Sequence, residues 1–575
     1  MKSRYFRGCF LSFFAVGIFL FAHGSTAQTA HGTASSPLLA AAKTELDRNF
    51  AELKKQPVAA YYLSYEIVDS NTATVSSSFG ALLNSNSVQR RVAHIDVRVG
   101  DYALDNTHQV RGRFATGNGG IASVVLPVED NPLAIRSALW LETDKRYKQA
   151  LTRLAAVQTN NEVKVEQEDK SADFSKEQPE QSIEPIPVLA LDKKAWEEKT
   201  RKYTAPFHRY GDLFNATATL QADREVRWFV SSEGATIQTS TTYYRLLIEA
   251  SAKALDGMEL PRYESFAALT PQGLPDDATV LKAVDKMIAD LKALRAAPVV
   301  DPQTGPAILS GRATAVFFHE VFGHRIEGHR QKNENEGQTF KKMVGQQVLP
   351  TFLSVKFDPT LKRYNGVDLV GTYSFDDEGV KARPVVAVKD GVLERFLMGR
   401  SPIDGFPNSN GHGRAQAGFE PVARQSNLVI LNSKPVSREE LKKMLIAEVN
   451  KQNKPYGLFF DDIQGGFTLT GRTIPNAFNV TPVMVYRIYP DGKEELVRGV
   501  DLVGTPLTVF SKILAADDEK AVFNGVCGAE SGMVPVSASG PGILISEIEV
   551  QKKAKSQERP PILAAPFASA PGGGK

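Results

Sequence analysis

A histidine-rich stretch constrains this chain more than any other part of its sequence. It reads Val316-Phe317-Phe318-His319-Glu320-Val321-Phe322-Gly323-His324-Arg325-Ile326-Glu327-Gly328-His329 and holds three of the nine histidines. Aromatic residues on both flanks indicate a buried helix, and Gly328 is a plausible end to it. A bare charge in an apolar site is very costly, so buried imidazoles and carboxylates need partners. The stretch therefore predicts a metal site or a catalytic network.

The spacing of the first two histidines is unusual. His319 and His324 form a His-Glu-x-x-x-His (HExxxH) pattern, one residue longer than the common zinc-peptidase pattern His-Glu-x-x-His. Side chains four residues apart on a regular α-helix lie about 40° apart, whereas those five apart lie about 140° apart. A π-turn would realign the two imidazoles, and Gly323 would ease it. We therefore predict a widened or bulged turn at 319–324.

Two other interpretations stay open on spacing alone. Glu320, His324 and Glu327 lie at i, i+4 and i+7, on one helix face, and would form a carboxylate-rich metal set without a bulge. Alternatively, the histidines are ordinary core and surface residues of an amphipathic helix. His329 follows Gly328, where the helix should have ended, so we do not expect it to bind a metal.

The amino terminus has the pattern of a secretory signal peptide. Residues 1–27 are basic at the start, lack Asp and Glu, and contain an uncharged apolar run from Cys9 to Ala22. A small-x-small cleavage site ends at Ala27. The run is shorter than the roughly 20 residues that span a bilayer, so cleavage is favoured over a membrane anchor. We expect a periplasmic or secreted protein with no membrane span in its mature form.

Charge excludes some partners. The chain has 68 Lys and Arg against 65 Asp and Glu. The basic excess consists of Lys2, Arg4 and Arg7, which lie inside the predicted signal. A balanced mature chain gives no electrostatic reason to expect nucleic acid or an anionic membrane as partner.

Cysteine usage points to the carboxyl-terminal part of the chain. The sequence has two cysteines, and one of them, Cys9, lies in the predicted signal. Cys527 would then be unable to form an internal disulfide in an oxidising compartment. Such a thiol is expected to be buried, reactive or bound to metal.

The remaining sequence predicts an α+β fold with two domains. Residues 28–300 predict a mixed α/β N-terminal domain, in which the charged stretch at about 160–186 is expected to be a solvated helix end or mobile insertion. Proline and glycine residues at 298–306 mark a boundary. Residues 301–551 predict a β-rich catalytic domain that carries the metal-site helix, and residues 552–575 predict a disordered tail.

At the histidine helix the chain resembles the TldD/PmbA family of metallopeptidases. Two further segments, Phe375-Asp376-Asp377-Glu378-Gly379 and Asn524-Gly525-Val526-Cys527-Gly528, resemble other motifs of that family. The likeness is good over about residues 225–550 and weak over the first 220. Three motifs in the same order make the resemblance specific.

The resemblance implies a role for each residue of the site. His319, His324 and Cys527 would be the ligands of one Zn2+ per chain, and Glu320 would be the general base on a zinc-bound water. The protein would be an exported zinc-dependent peptidase that hydrolyses peptide bonds of unfolded polypeptides or peptides. Family members pair as dimers, so a homodimer is expected, with a heterodimer with a related subunit as the alternative.

Two other functions stay open. The chain would be either a catalytically inactive scaffold or regulatory subunit of a peptidase complex, or a zinc-binding or buffering protein. Retention of Glu320 favours catalysis, because a storage site has no use for a base that does not bind the metal.

Further polar residues are candidates for contact with substrate or a cation. Three are candidates for stabilising the oxyanion or binding the substrate backbone: His412, Arg414 and Tyr373. The glycine-rich stretch 411–414 also suits a flexible surface loop. The acidic run 376–378 could hold calcium or magnesium, but a turn followed by a strand is favoured.

Overall fold

The computed structural model describes residues 36–110, 123–162, 169–472 and 478–553, together with Leu563. The predicted signal peptide and nearly all of the predicted tail therefore lie outside the described residues. Within those residues, no helix is long and apolar enough to cross a membrane.

The N-terminal half is built on one large sheet. Its strands are β1 (Ala60–Ser78), β2 (Ala81–Val99), β3 (Ser123–Val125), β4 (Gln181–Ile183), β5 (Leu213–Ser231), β6 (Thr236–Lys253) and β7 (Glu259–Ala268). The described strands have the order β3-β2-β1-β5-β6-β4, and β7 also pairs with β6. Every pairing is antiparallel except that of β4 with β6. Phe79 and Gly80 both have positive φ, which is the backbone that a two-residue β1–β2 hairpin requires.

Helices pack against this sheet and form two separate hydrophobic cores with it. They are α1 (Pro37–Leu53), α2 (Pro132–Glu162), α3 (Lys193–Thr204) and α4 (Asp277–Ala296), with short 3-10 turns at Ala205–Arg209 and Pro271–Gly273. Side chains of α1 and α2 share one core with β1 and β2. Side chains of α3 and α4 share another with β5, β6 and β7. Apolar residues recur along one face of α4, which is why that helix packs on the sheet.

The C-terminal half is rich in short strands. They are β8 (Gln303–Leu309), β9 (Leu353–Phe357), β10 (Arg363–Tyr364), β11 (Val367–Asp368), β12 (Val385–Lys389), β13 (Val392–Leu393), β14 (Gly413–Arg414), β15 (Val422–Ala423), β16 (Asn427–Asn432), β17 (Gly457–Thr468), β18 (Phe478–Ile488), β19 (Glu494–Val497), β20 (Val500–Gly504), β21 (Ile513–Ala516), β22 (Ala521–Ala529), β23 (Gly532–Gly540) and β24 (Ile543–Lys552). The helices are α5 (Gly311–Val321), α6 (His329–Lys332), α7 (Arg438–Lys451) and α8 (Pro506–Phe510), with a 3-10 turn at Gly323–Ile326.

Helix α5 lies between two sheets of this half. One has the order β13-β12-β9-β16-β23-β22, so the described part of the chain leaves β22 at its edge. The other has the order β17-β8-β24-β20-β18-β19, and pairing of β17 with β18 closes it into a ring. Phe317 and Phe318 on α5 are fully buried, and Phe317 meets Phe478 of β18 edge-on with ring centroids 5.4 Å apart. The predicted α+β class is confirmed, whereas the division into domains stays a prediction.

The charged stretch at about 160–186 differs in part from the expectation. Helix α2 reaches Glu162, and residues 163–168 lie outside the described residues. Residues 169–177 are packed: Phe174 is buried, with the guanidinium carbon of Arg400 3.8 Å from its ring centroid. The Ser175 N–H donates to the Arg400 carbonyl at 2.8 Å. The expectation of a solvated segment is therefore wrong for residues 169–177, because Phe174 packs against Arg400 and anchors the segment.

The acidic run 376–378 forms the favoured turn before β12. Asp376 accepts backbone N–H groups of Val380 at 2.8 Å and Gly413 at 2.9 Å. Asp377 accepts the N–H of Ala415 at 2.7 Å. These carboxylates are occupied by backbone donors, so they do not form a cation site.

An arginine joins the N-terminal sheet to this turn. Arg227 on β5 pairs with Glu66 on β1 and with Asp377. Burial raises the pKa of Glu66 to about 8, although the guanidinium opposes the shift. Burial likewise raises the pKa of Asp377. A carboxyl of this cluster therefore stays protonated at pH values where it would ionise in the unfolded chain.

We expect stability to fall as pH rises from about 6.5 to 8, and Glu66→Gln to flatten that fall. The folded state holds a proton that unfolded glutamate, with a pKa of about 4.3, has already lost. Buried His94 and His412, with pKa values lowered to about 4 and about 3, act in the opposite direction only below about 6.5. Urea midpoints across this pH range measure the slope, with exposed Glu52→Gln as the control. Equal slopes for Glu66→Gln and the parent protein would contradict the assignment.

Candidate metal centre

Three side chains converge at the end of α5. His319, His324 and Cys527 each offer a ligand atom within 4.8 Å of the other two, and all three are buried. No other such group of His, Cys, Asp and Glu is found in the described part of the chain. The Cys527 Sγ lies 3.3 Å from the His324 Nε2, although 203 residues separate them in sequence. The imidazole centroids lie 5.1 Å apart. The end of α5, the turn that follows it and the edge strand β22 therefore bring two imidazole nitrogens and one sulfur close together.

The backbone between the two histidines tightens instead of widening. Helix α5 begins at Gly311 and ends at Val321, and the Oγ of the preceding Ser310 caps it by accepting the Ala313 N–H at 3.2 Å. The 3-10 turn Gly323–Ile326 follows. The predicted π-bulge is therefore wrong in kind, although the helix does break where a distortion was expected. Because the α-helix stops before His324, that side chain is released from the helical rotation that would direct it away.

Gly323 is needed for space, which differs from the role expected for it. A Cβ at this position would overlap the Gln425 side-chain amide. That amide's Nε2 donates to the His319 carbonyl at 3.1 Å. The glycine thus admits a side chain that caps the broken helix.

Glu327 lies behind the second histidine. Its Oε2 is 3.2 Å from the His324 Nδ1 and accepts the Arg330 Nε–H at 2.9 Å. Burial opposes ionisation, yet His324 and Arg330 lower the pKa of Glu327 to about 2. A carboxylate only accepts, so the His324 Nδ1 carries a proton, and the Nε2 is the ring nitrogen that faces Cys527. The carboxylate-rich alternative is wrong, because Glu327 lies on the side of the ring away from the sulfur.

The donor set fits a zinc ion. Two imidazoles and one thiolate are ligands that Zn2+ accepts, leaving a fourth position open. Burial opposes ionisation of the Cys527 thiol, but the two imidazoles lower its pKa well below the usual range. The His319 Nδ1 is buried without a hydrogen-bond partner among the described residues. A buried polar atom of this kind needs an explanation, and a metal ion would supply one.

Glu320 lies beside the group without belonging to it. Its Oε2 is 3.9 Å from the His324 Nε2, and its side chain is 13% exposed. The backbone of Gly466 on β17 passes close to it, since a Cβ there would lie 3.1 Å from the Glu320 Cγ. The carboxylate is thus near the ligand atoms, and its side chain is partly exposed.

His329 is held away from the ligand group. Its Nε2 pairs with Glu530 at the β22–β23 turn. This agrees with the expectation that it does not bind the metal.

The candidate substrate contacts form a buried support layer. His412 is fully buried, its Nδ1 lies 3.1 Å from the Asn410 Oδ1, and its Nε2 lies 3.1 Å from the Ser426 Oγ. Both ring nitrogens thus have partners within the protein, and a direct substrate contact by His412 stays a prediction. The glycine-rich stretch 411–414 is buried and its last two residues form β14, so it is not a surface loop.

Arg414 and Tyr373 pack together beside that histidine. The guanidinium carbon lies 4.7 Å from the tyrosine ring centroid. Arg414 donates to the Gln425 carbonyl at 2.6 Å, and the Tyr373 hydroxyl donates to the Gly411 carbonyl at 2.9 Å. Through Gln425 this layer supports the His319 end of the helix. A substrate contact by these two residues stays a prediction.

Sequence patterns alone did not reveal three supporting residues. They are Gln425, Arg424 and Arg330. The first two come from the chain between β15 and β16, about a hundred residues from the histidines, so no spacing rule links them to the helix. Among the residues that support the ligands, only Glu327 could be linked to a ligand by sequence spacing, because it lies three residues after His324.

The C-terminal half of the chain is similar in sequence to known metallopeptidases. Residues 302–552 match the model of the PmbA/TldA metallopeptidase C-terminal domain. A metalloprotease of Methanocaldococcus jannaschii is 28% identical over 236 residues, which cover 40% of this chain and 48% of that protein. A zinc metalloprotease TldD homolog of Saccharolobus solfataricus is 25% identical over 258 residues, covering 43% and 52% respectively. The chain thus spans about half the length of these curated relatives.

A solved structure shares the fold over most of the chain. TldE from Thermococcus kodakarensis superposes with a TM-score of 0.57 at 14% identity, covering 89% of this chain and 100% of that one. At such low identity the likeness shows the fold alone.

We expect Gly323→Ala to destabilise the site. The added methyl group would displace the Gln425 amide and leave the His319 carbonyl without its donor, at a cost of about 1–3 kcal/mol. Urea unfolding of the metal-free protein measures this cost. Gly305→Ala on β8 is the matched control, because nothing lies within 4 Å of its added Cβ. Equal midpoints for the two variants would contradict the packing account.

Proposed function

We propose that this chain, whose residues 302–552 match the PmbA/TldA metallopeptidase C-terminal domain, is a zinc-dependent peptidase of the TldD/PmbA family. The observation that carries the proposal is the convergence of His319, His324 and Cys527, with Glu320 beside them. A zinc-holding site without a neighbouring base would suit storage. This one has a carboxylate close to the ligand atoms, which suits hydrolysis.

The three ligands and the glutamate divide the chemistry. His319, His324 and Cys527 would hold one Zn2+ per chain. When bound, zinc supplies Lewis acidity that polarises a carbonyl and lowers the pKa of water. The Glu320 carboxylate would take a proton from the attacking water and pass it to the leaving amine, so that it ends the cycle unprotonated.

Burial of the site suggests the class of substrate. The relative exposures of His319, His324 and Cys527 are 8%, 6% and 5%. A peptide bond in a folded protein is held within its own structure and cannot approach such recessed atoms. We therefore propose unfolded polypeptides or peptides as substrates.

Assembly and location are proposed on narrower grounds. Because a protein named TldE shares the fold, a related subunit is one candidate partner, and a second copy of this chain is the other. Light scattering of the purified protein, alone and with such a subunit, distinguishes them. Export to the periplasm or medium is proposed from residues 1–27 alone, and amino-terminal sequencing of the mature protein tests it.

We expect Glu320→Gln to reduce peptide cleavage by about 10²- to 10⁴-fold while leaving zinc content unchanged, because only the proton acceptor is lost. Cleavage of an unstructured polypeptide and metal analysis of the same samples measure both quantities. Glu439→Gln, at an exposed carboxylate of α7, is the control.

Each outcome separates the alternatives. Equal activity in Glu320→Gln would remove this residue from the mechanism. A zinc-loaded parent protein that cleaves no peptide would favour the zinc-binding or buffering protein. A parent protein that binds no zinc and cleaves nothing would favour an inactive scaffold or regulatory subunit.

A further inference from the structure

We propose that the buried pair Glu327–Arg424 is a positioning device that fixes the helix side and the strand side of the metal centre together. The inference rests on the proposed function only in treating His324 and Cys527 as ligands of one ion. Neither Glu327 nor Arg424 would touch the metal or the substrate. Each acts through the ligand next to it.

Glu327 fixes the direction of the second imidazole. The carboxylate is fully buried, and its Oε2 lies 3.2 Å from the His324 Nδ1. This contact holds a proton on Nδ1 and directs the Nε2 towards the Cys527 Sγ. Carboxylates that hold a ligating histidine in this way orient the ring and raise its basicity as a ligand.

The main chain of Glu327 is itself held on both sides. The Leu397 N–H donates to the Ile326 carbonyl at 2.9 Å, and the Gly328 N–H donates to the Leu397 carbonyl at 2.8 Å. A Cβ at Gly328 would overlap the Met398 sulfur, so the backbone lies against that strand-like segment. The backbone that carries the Glu327 carboxylate is therefore held in place by hydrogen bonds and packing.

Arg424 carries the same constraint to the cysteine. This fully buried side chain donates from Nη2 to the Cys527 carbonyl at 2.8 Å. Its Nη1 donates to the Ser531 Oγ at 2.7 Å and the Gly532 carbonyl at 3.0 Å. One guanidinium thus fixes the β22–β23 hairpin at the level of the ligand.

The two residues also meet each other. The Arg424 Nε lies 3.7 Å from the Glu327 Oε1. Neither atom has a hydrogen-bond partner within the described ranges, so each depends on the charge of the other. A single continuous path therefore runs from the His324 ring through a carboxylate and a guanidinium to the Cys527 backbone.

Charge gives the pair a second effect. Arg330 and Arg424 both lie against Glu327, and a divalent cation would lie on the far side of His324. Without the carboxylate, the buried Arg424 guanidinium would face that cation uncompensated, whereas Arg330 would keep its pairs with Glu336 and Glu530. Loss of the charge should therefore weaken metal binding even where the shape of the side chain is kept.

The test measures metal binding instead of activity. We would compare the full-length parent protein with Glu327→Gln, which keeps the shape and removes the charge, and Arg424→Lys, which keeps the charge and loses the bidentate fork. Zinc affinity is read by competition with a chromophoric chelator. The sulfur-to-metal charge-transfer band of the Co2+-loaded protein reports whether the thiolate still binds.

Glu233→Gln is the matched control for a lost buried ion pair. Glu233, which follows β5 in the N-terminal half, pairs with the buried Arg400 at 2.8 Å. The structure gives it no contact with the metal centre. This variant should bind zinc like the parent protein, whatever its stability.

We expect zinc affinity to fall about 10- to 100-fold in Glu327→Gln. Arg424→Lys should show a smaller fall and a weakened charge-transfer band, because the Cys527 carbonyl loses its donor. If Glu327→Gln does not fold, the spectrum and affinity of Arg424→Lys decide the matter. Parent-like zinc affinity and spectra in the folded variants would overturn the positioning role. A parent protein that binds no zinc would instead contradict the proposed function.

Discussion

The account depends on one contact between distant parts of the chain, where the end of α5 meets the edge strand β22. Neither segment can form the site alone, since His319 and His324 come from the end of α5 and the 3-10 turn that follows it, whereas Cys527 comes from β22. The meeting is fixed by the core around α5, where Phe317 and Phe318 pack between the six-stranded sheet and the strand ring. Apolar packing thus supplies the geometry, and the polar residues supply the chemistry.

Some of this site could be predicted from sequence, because its signals are local. The crowding of histidines in an apolar segment indicated a buried polar site, and the resemblance added Cys527 to the set. The turn between His319 and His324 was predicted in the wrong form. Helical periodicity assumes that the helix continues, whereas this one ends, and the room that Gly323 leaves for Gln425 is a contact across about a hundred residues.

The α+β class could be predicted from alternating and helical patterns, because these depend on neighbouring residues. The burial of individual side chains could not, because it depends on tertiary packing that neither periodicity nor composition encodes. The burial of Phe174 could not be predicted from its charged neighbours, because its partner Arg400 lies far along the chain. His412 looked exposed among glycines, yet those glycines let the backbone pass inside the core, where Asn410 and Ser426 take both ring nitrogens. Composition suggests a loop in both places, and long-range contacts decide otherwise.

X-ray absorption at the zinc edge of the zinc-loaded protein tests the central claim most directly. The account predicts one sulfur at about 2.3 Å and two imidazole nitrogens at about 2.0–2.1 Å, with the sulfur lost in Cys527→Ser. A spectrum of the parent protein without sulfur in the coordination sphere would contradict it, because the helix and the edge strand would then not share an ion.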